Sequence, residues 1–285
     1  MCTVKSIYSV ELKHFCNAVS KAINLNCNNC ELNALNVTKN VNLQYIDCST
    51  NELAKLNVAR NKKLKVLICA INNLTKLEVS ANKDLEQLIC DTNQLTALNV
   101  TRNKELMNLS CANNKLTRID VSKNTNLEIL SVTLNEINKL DLRKNKALYN
   151  LSCSFTRLTK LDLRKNGKLK YLSCDNNALT KLDLSKNKEL EALNCYYCQL
   201  KTLDLSKNVK LVNVECANNP LTTLTVCRGV LINTGTGSDY YTTSRPQVVG
   251  FPDNGRGLVA LAKGTAQITY KKGTDDEKTF TVVVR

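Results

Sequence analysis

Two cysteines with two tyrosines between them stand in the segment LNCYYCQL, residues 193–200. A Cys-x-x-Cys spacing, here Cys195 and Cys198, can supply half of a zinc site or a redox couple. Cys27 and Cys30 have the same spacing near the start of the chain. Because such thiols do chemistry only beside further ligands or an electropositive neighbour, the pattern around each pair decides its role.

A 21-residue repeat fills most of the chain. It begins at Ala22, continues to Asn208 without insertion or deletion, and is followed by most of a tenth unit that ends near Val226. The unit is L-x-x-L-x-C-x-x-N-x-L-x-x-L-x-[VL]-x-x-N-x-x, with position 1 at Leu43. One unit cannot bury its apolar side alone, so successive units must stack into continuous rows of leucine.

Two segments of the unit alternate between apolar and polar residues. The alternation around position 6 predicts a short strand in a parallel sheet. A similar alternation later in the unit, as in Leu140-Asp141-Leu142, predicts a second strand or extended segment on the opposite side.

Asparagine ends both halves of the unit, at positions 9 and 19. The series at position 19 has no exceptions: Asn40, Asn61, Asn82, Asn103, Asn124, Asn145, Asn166, Asn187 and Asn208. A corner Asn can donate its amide to backbone carbonyls that the turn leaves unpaired, and each one can support the next. We therefore expect these residues to be structural.

Position 6 holds most of the cysteines: Cys27, Cys48, Cys69, Cys90, Cys111, Cys153, Cys174, Cys195 and Cys216. Val132 takes this place in the remaining unit, which indicates an inward, small and apolar position. Neighbouring strands lie about 4.8 Å apart, within disulfide range, but in-register side chains point the same way and suit the disulfide torsion poorly. The pattern predicts a ladder of reduced thiols.

The second cysteine of each pair, Cys30 or Cys198, falls at position 9, where most units carry Asn. The two pairs are eight units apart, on the order of 38 Å at strand spacing, so they cannot share a metal ion. Neither pair has two further ligands nearby. We interpret both pairs as architecture and expect no metal or other cofactor.

The motif L-x-C-x-x-N-x-L followed by L-D-[VL]-S-x-N resembles that of the internalin-J-like bacterial leucine-rich-repeat proteins, whose coil carries a cysteine ladder. The resemblance covers residues 22–226. It implies a mainly β leucine-rich-repeat solenoid of about ten turns. It also implies a bacterial cell-surface or extracellular location and a role in adhesion or host-protein binding.

The two ends depart from the repeat. Residues 1–21 include SVELKHFCNAVSK, which predicts a short amphipathic helix that caps the first turn. Residues 227–285 are richer in Gly, Thr and Ser, and they predict a small β domain of three strands with turns at 263–264 and 273–276. This segment resembles the C-terminal half of a bacterial immunoglobulin-like domain.

Membrane and targeting signals are not visible in the sequence. No apolar run approaches the roughly 18 residues that span a bilayer. The first residues lack the basic start and apolar stretch of a signal peptide. These observations leave open a cytosolic protein and a mature secreted one, and the resemblance favours the secreted or surface protein.

Residues suited to catalysis are scarce. His14 is the single histidine, and no nucleophile-elbow, dinucleotide-binding or phosphate-loop motif occurs. One aspartate series might suggest calcium, but basic residues lie two positions before several members, so we interpret it as alternating charge on a solvated strand: Asp120, Asp141, Asp162, Asp183 and Asp204. We expect no enzymatic activity.

A basic stripe accounts for much of the net charge of +15. Its residues stand at position 13 (Lys55, Lys76, Arg118, Lys139, Lys160, Lys181) and position 18 (Lys39, Arg60, Arg102, Lys123, Lys144, Lys165, Lys186, Lys207). Such a stripe can attract an anionic glycan or nucleic acid. No aromatic residues interleave with it, which disfavours nucleic acid, and the plain interpretation is a solubilising face.

The first-strand face, positions 3, 5, 7 and 8, carries no Lys or Arg in any unit. Its occupants vary and include large apolar and aromatic residues. Outward residues of this kind mark binding surfaces, and Tyr supplies rigid contact area at low entropic cost. Together with Tyr149 at position 2, they predict these partner-binding residues: Tyr45, Val66, Ile68, Ile89, Tyr149, Phe155, Tyr171, Tyr196 and Tyr197.

The sequence thus predicts a monomeric, non-enzymatic module that binds a protein partner, such as a host surface protein, through the first-strand face. Phe155, Tyr171, Tyr196 and Tyr197 are the expected central anchors. Three alternatives stay open: residues that only fill the sheet surface or touch a neighbouring domain, a binder of anionic polymers that uses the stripe, and a structural surface spacer.

Overall fold

The computed structural model describes four stretches of the chain, residues 22–237, 241–252, 256–270 and 278–285. The predicted helical cap at 1–21 and the predicted turn at 273–276 lie outside these stretches. The chain divides into two compact units, residues 1–148 and 149–285. The 21-residue repeat runs through both of them.

A three-residue strand begins at position 3 of every repeat. In the first unit these strands are β1 Asn24–Asn26, β2 Tyr45–Asp47, β3 Val66–Ile68, β4 Gln87–Ile89, β5 Asn108–Ser110 and β6 Ile129–Ser131. In the second unit they are β7 Asn150–Ser152, β8 Tyr171–Ser173, β9 Ala192–Asn194 and, one strand later in chain order, β11 Asn213–Glu215. Neighbours within each unit pair in parallel, so Tyr45 lies beside Val66 and Tyr171 beside Ala192. The predicted parallel sheet is confirmed, and each strand is shifted by one repeat.

The core consists of the residues at positions 4 and 6 together with rows of leucine. In the third repeat, Leu67 and Cys69 are fully buried, whereas Val66 and Ile68 on either side of Leu67 are partly exposed. The ladder cysteines are all buried, which confirms the predicted ladder. The free thiols of the ladder include Cys48, Cys69, Cys90, Cys111, Cys153, Cys174, Cys195 and Cys216.

The asparagine at position 9 bonds with both ends of its amide. Asn72 donates from Nδ2 to the Cys48 carbonyl of the preceding repeat at 2.9 Å. The same nitrogen lies 3.2 Å from the carbonyls of Cys69 and Ala70, and Oδ1 accepts the Leu53 N–H at 3.0 Å. This corner therefore ties one repeat to the next, as the sequence predicts.

The asparagine at position 19 is more deeply buried and bonds mainly through its nitrogen. Asn103, fully buried, donates from Nδ2 to the carbonyls of Val79 at 2.9 Å and Asn82 at 2.7 Å. Its Oδ1 accepts no hydrogen bond within the described part of the chain. Asn124 continues the ladder by donating to the Asn103 carbonyl at 2.7 Å.

The second half of the repeat forms a strand in only two of the described repeats, as β10 Thr202–Asp204 and β12 Thr223–Val226, which pair in parallel. The residue at position 15 fixes a turn both in such a repeat and in earlier ones, and Asp204 of β10 accepts the Ser206 N–H at 2.9 Å. Asp120 and Asp183 accept the N–H two residues later, from Ser122 at 2.9 Å and from Ser185 at 3.0 Å. The aspartate series therefore stabilises turns, in addition to alternating in charge with the lysines.

The strands after the last repeat extend both sheets of the second unit. They are β13 Leu231–Gly237, β14 Tyr241–Thr243, β15 Val249–Gly250, β16 Arg256–Ala260, β17 Gly264–Tyr270 and β18 Lys278–Val284. β13 pairs in parallel with β11 and is followed across the sheet by antiparallel β16 and β15. β18 pairs in parallel with β12 and is followed by antiparallel β17 and β14, so a small second sheet lies at the C-terminal end.

Candidate functional site

The two cysteines of LNCYYCQL lie in different structural environments. Cys195 lies in the ladder, and burial raises the pKa of its thiol well above the ordinary value. Cys198 lies at the corner, where its Sγ donates to the Cys174 carbonyl at 3.4 Å, and burial raises its pKa as well. Because the thiolate is the reactive form, these protonated thiols are chemically quiet. No group of three or more His, Cys, Asp or Glu side chains among the described residues is placed to hold a metal ion.

The predicted binding residues fall into two sets, one on each unit, and all of them are at least partly exposed. The isoleucine surface consists of Tyr45, Val66, Ile68 and Ile89 in the first unit. The tyrosine surface consists of Tyr149, Phe155, Tyr171, Tyr196 and Tyr197 in the second unit. Each set lies on consecutive or nearby repeats of its own unit.

Aromatic rings on the tyrosine surface contact each other and a nearby glutamate. The rings of Tyr196 and Tyr197 meet edge to face with centroids 5.6 Å apart. The hydroxyl of Tyr171 donates to Glu191 Oε2 at 2.8 Å, and Lys170 Nζ lies 3.0 Å from Glu191 Oε1. The hydrogen bond to Glu191 is the largest cause that raises the pKa of Tyr171. These contacts hold aromatic rings at the surface in defined positions.

Carboxylates on the first-strand face were missing from the predicted site. Asp175 at position 7 is buried beside the tyrosines, where it accepts hydrogen bonds from Ser154 Oγ and from Asn176 Nδ2. Glu215 lies on β11 at position 5. The signal was available in the sequence, because the positions that exclude Lys and Arg admit Asp and Glu.

The isoleucine surface has the same combination of apolar and acidic residues. Ile71, at position 8 of the third repeat, is 51% exposed. Asp91, at position 7 of the next repeat, accepts hydrogen bonds from Ser110 Oγ and the Ala112 N–H, both at 2.6 Å. Burial raises the pKa of Asp91 despite these bonds, which favour the ionised form. Asp47 is also buried on this surface.

Position 8 has a left-handed backbone in all ten repeats, with φ between 48° and 55°. Its N–H donates to the carbonyl of position 7 in the following repeat, as from Phe155 to Asp175 at 3.0 Å and from Tyr197 to Ala217 at 2.9 Å. Asparagine tolerates this conformation and occupies it in four repeats: Asn29, Asn113, Asn176 and Asn218. Four other repeats place large side chains there, each about half exposed: Ile71, Leu134, Phe155 and Tyr197.

These large residues at position 8 are unfavourable in two ways. A bulky side chain in the left-handed region raises the backbone energy by about 1 kcal/mol or more. Phe155 is 47% exposed and Tyr197 57% exposed, so burial returns little of that energy. Position 8 is therefore where the sequence departs furthest from what the fold alone favours.

The basic stripe lies on the other half of the repeat, and all its residues at positions 13 and 18 are exposed. At position 17 the arginines are paired: Arg143 with Asp141 at 2.7 Å and Arg164 with Asp162 at 2.8 Å. Part of the positive charge on this half is therefore neutralised locally.

A parallel first-strand sheet, continuous leucine rows and an asparagine at the end of each half-repeat define a leucine-rich-repeat solenoid. Solved structures agree. The functional domain of InlJ from Listeria monocytogenes, which includes a cysteine ladder, is similar at 24% identity and a TM-score of 0.53, over 100% of this chain and 85% of that one. The predicted leucine-rich-repeat solenoid of about ten 21-residue turns is thereby confirmed.

Other bacterial leucine-rich-repeat proteins have the same fold. One from Leptospira interrogans is 24% identical, with a TM-score of 0.61 over 73% of this chain and 67% of that one. YopM, a leucine-rich effector protein from Yersinia pestis, is 25% identical, with a TM-score of 0.57 over 79% of this chain and 57% of that one. No family model and no curated protein sequence matches this chain.

In the described stretches, the structure has no helix with the length and apolar character needed to cross a bilayer.

Proposed function

We propose that this protein is a non-enzymatic binding module that holds a protein partner on its first-strand face, with the tyrosine surface as the main contact. The observation that carries the proposal is the strained and exposed position 8, where Phe155 and Tyr197 stand in place of the asparagine that the turn favours. Strained residues of this kind persist where function requires them. Aromatic side chains are also enriched in the cores of protein interfaces.

The isoleucine surface is a second contact region in this proposal. Ile68 and Ile89 are outward residues of neighbouring strands, and Ile71 adds a half-exposed side chain at position 8. Outward branched apolar residues on a parallel sheet expose surface that a protein partner would bury. The leucine-rich-repeat proteins with similar structures support a role in protein interaction.

We further propose that the protein acts as a monomer outside the cell or at a bacterial surface, as its resemblance to internalin-type proteins suggests. Light scattering on the purified protein tests the first point, because a monomer has a mass of 31.8 kDa. Protease treatment of intact cells of the source organism tests the second point. An assembly of higher mass would contradict the monomeric state. Complete protection from protease would contradict a location at the cell surface.

The binding test uses three forms of the immobilised protein: wild type, the tyrosine variant Tyr196→Ala/Tyr197→Asn, and the stripe variant Lys160→Ala/Lys181→Ala. Each is exposed to detergent-solubilised host surface proteins at two ionic strengths, and retained proteins are quantified by mass spectrometry. Candidate partners are then purified and titrated. We expect the tyrosine variant to lose at least tenfold in affinity, while the stripe variant binds as wild type.

Two other outcomes decide against this function. Equal affinity of all three forms would remove the tyrosine surface from the interface. Loss of binding in the stripe variant, together with steep salt dependence, would assign the protein to anionic polymers such as glycans. If no component is retained saturably, the protein is a structural spacer.

A further inference from the structure

Carboxylates stand among the rings of the tyrosine surface. Asp175 lies on the repeat before Tyr196 and Glu215 on the repeat after it, since the Asn176 N–H donates to the Tyr196 carbonyl at 3.0 Å and the Cys195 N–H donates to the Glu215 carbonyl at 2.8 Å. Burial, and then the charge of Asp175, raise the pKa of the Tyr196 phenol. Glu191 accepts a hydrogen bond from Tyr171 at 2.8 Å. Aromatic faces and negative charges therefore alternate across a few neighbouring repeats of the second unit.

The charge of this surface is opposite to that of the whole protein. The chain has 40 Lys and Arg against 25 Asp and Glu, yet the four face positions hold no Lys or Arg in any repeat. Lys170, at position 2 beside the surface, is paired with Glu191 at 3.0 Å. A cationic partner would meet a favourable local field here, whereas an acidic one would be drawn to the basic stripe.

Arginine fits this combination of groups better than lysine does. Its planar guanidinium stacks on aromatic rings and pairs with carboxylates through two parallel hydrogen bonds. The Asp175 carboxylate accepts from Ser154 and Asn176. Asp175 is buried, whereas Glu215 on β11 is partly exposed, so Glu215 is the carboxylate that an incoming guanidinium can pair with.

We propose that the tyrosine surface binds an arginine-bearing segment of the partner protein, with a guanidinium against the Tyr196–Tyr197 ring pair and paired with the carboxylate of Glu215. This proposal rests on the proposed function, since it names the chemistry of the partner at the same surface. Its test does not need the natural partner.

The probe is the capped peptide acetyl-Arg-Gly-Arg-amide, added to the full protein carrying ¹³C-labelled tyrosine rings. The control peptide has citrulline, which keeps the planar shape without the charge, in place of both arginines. We expect the ring signals of Tyr171, Tyr196 and Tyr197, assigned through Tyr→Phe variants, to shift saturably with arginine. With citrulline the apparent affinity should be at least threefold weaker.

Two matched variants distinguish the effect of the Glu215 carboxylate on arginine binding from the effect of the protein's overall charge. Glu215→Gln should weaken arginine binding at least threefold, because one partner of the guanidinium is lost. Lys160→Ala, in the basic stripe, should leave it unchanged or slightly stronger. Glu215 is used rather than Asp175 because the latter is buried, and its replacement could disturb the fold.

Three results would overturn the proposal: no tyrosine shift at 20 mM peptide, equal binding of the citrulline peptide, or full binding by Glu215→Gln. The proposed function would survive any of them if the natural partner still depends on Tyr196 and Tyr197. Conversely, arginine binding at a surface that no protein partner needs would keep the arginine site but remove the proposed function and, with it, the assignment to a partner segment.

Discussion

The side chains at positions 9 and 19, the two corners of each repeat, both donate hydrogen bonds to backbone carbonyls. The residue type varies at position 9 but not at position 19. Position 9 holds Asn in most repeats but Cys30, Thr156 and Cys198 in three, whereas position 19 holds Asn without exception from Asn40 to Asn208. The difference follows burial. Asn72 at position 9 keeps a little contact with solvent, while Asn103 at position 19 has none.

Substitutes at the position-9 corner show what this corner tolerates. Thr156 Oγ1 lies 2.9 Å from the Cys153 carbonyl and 2.7 Å from Asn177 Oδ1, so one hydroxyl replaces part of an amide. Nearby solvent can meet the remaining need of the backbone. Because this corner can vary, positions 7 and 8 beside it can also carry side chains chosen for binding. The asparagine at position 19 serves only to stabilise the fold, because it satisfies buried carbonyls.

The largest effect should come from raising the pH, which acts on the thiol ladder between the corners. Burial raises the pKa of Cys69 and of Cys216 from an ordinary value of 9.0 to about 12. Unfolded thiols ionise above about pH 9 while the folded ones stay protonated, so stability is intact below pH 9 and falls as the pH rises towards 12. Each thiol contributes up to about 1.4 kcal/mol per pH unit.

Urea unfolding at pH 8 and pH 10.5 in the presence of reductant measures this decline. Cys69→Val is the matched control, since Val132 shows that the ladder accepts valine. The free energy of unfolding of this variant should fall less between the two pH values than that of wild type, because the variant has one buried thiol fewer. An identical dependence in both proteins would mean that the buried thiols do not cause the decline.

The second prediction compares the corners directly through Asn103→Thr and Asn93→Thr. The first should lower the free energy of unfolding by about 3 kcal/mol, because it leaves buried carbonyls of Val79 and Asn82 short of a donor. The second should lower it by about 1 kcal/mol, because Thr already functions at position 9. Urea midpoints measure both, and equal losses would show that the two corners are equivalent.

The third prediction separates the two cysteines of LNCYYCQL. Cys198→Asn restores the usual corner residue and should raise stability by about 1 kcal/mol, since an amide makes stronger hydrogen bonds than a thiol. Cys195→Asn places a polar group in the apolar ladder and should lower stability by about 3 kcal/mol. Thermal unfolding of the two variants shows whether each is more or less stable than wild type. If both variants are destabilised, Cys198 requires an apolar side chain in the same way as the cysteines of the ladder.

The smallest effect is expected at position 8. Phe155→Asn should raise stability by about 1 kcal/mol, because Asn tolerates the left-handed backbone at φ 49°. Asn113→Phe, the reverse change at the same position of another repeat, should lower stability by a similar amount. The gain in Phe155→Asn should accompany weaker partner binding. A variant that becomes less stable would show that the Phe155 ring supports the fold.

Much of the fold could be predicted because the 21-residue period encodes it. Leucine at positions 1 and 4 and cysteine at position 6 alternate with polar residues, and this pattern sets the inward face and the register of every strand. The left-handed backbone at position 8 was not predicted. Its occupants range from Asn113 to Phe155, so residue type does not reveal one shared conformation.

The second half of the repeat shows why other details escape sequence reasoning. Leu140-Asp141-Leu142 and Leu203-Asp204-Leu205 are identical tripeptides at the same positions of their repeats, yet only the latter includes part of a strand, β10. The difference comes from the neighbour, because β10 pairs with β12, which in turn pairs with β18 from outside the repeat. Strand formation there depends on an element that the repeat pattern does not contain.

The way the chain turns back after its tenth repeat limits how copies of the protein can join. A parallel stack that simply stopped would leave two open rows of backbone donors and acceptors, ready for another molecule to continue. Here antiparallel strands follow in both sheets, and among the described residues the outermost strands are β15, with two residues, and β14, with three. Edge strands this short offer an incoming chain few backbone hydrogen bonds, so they disfavour end-to-end polymerisation through these two sheets.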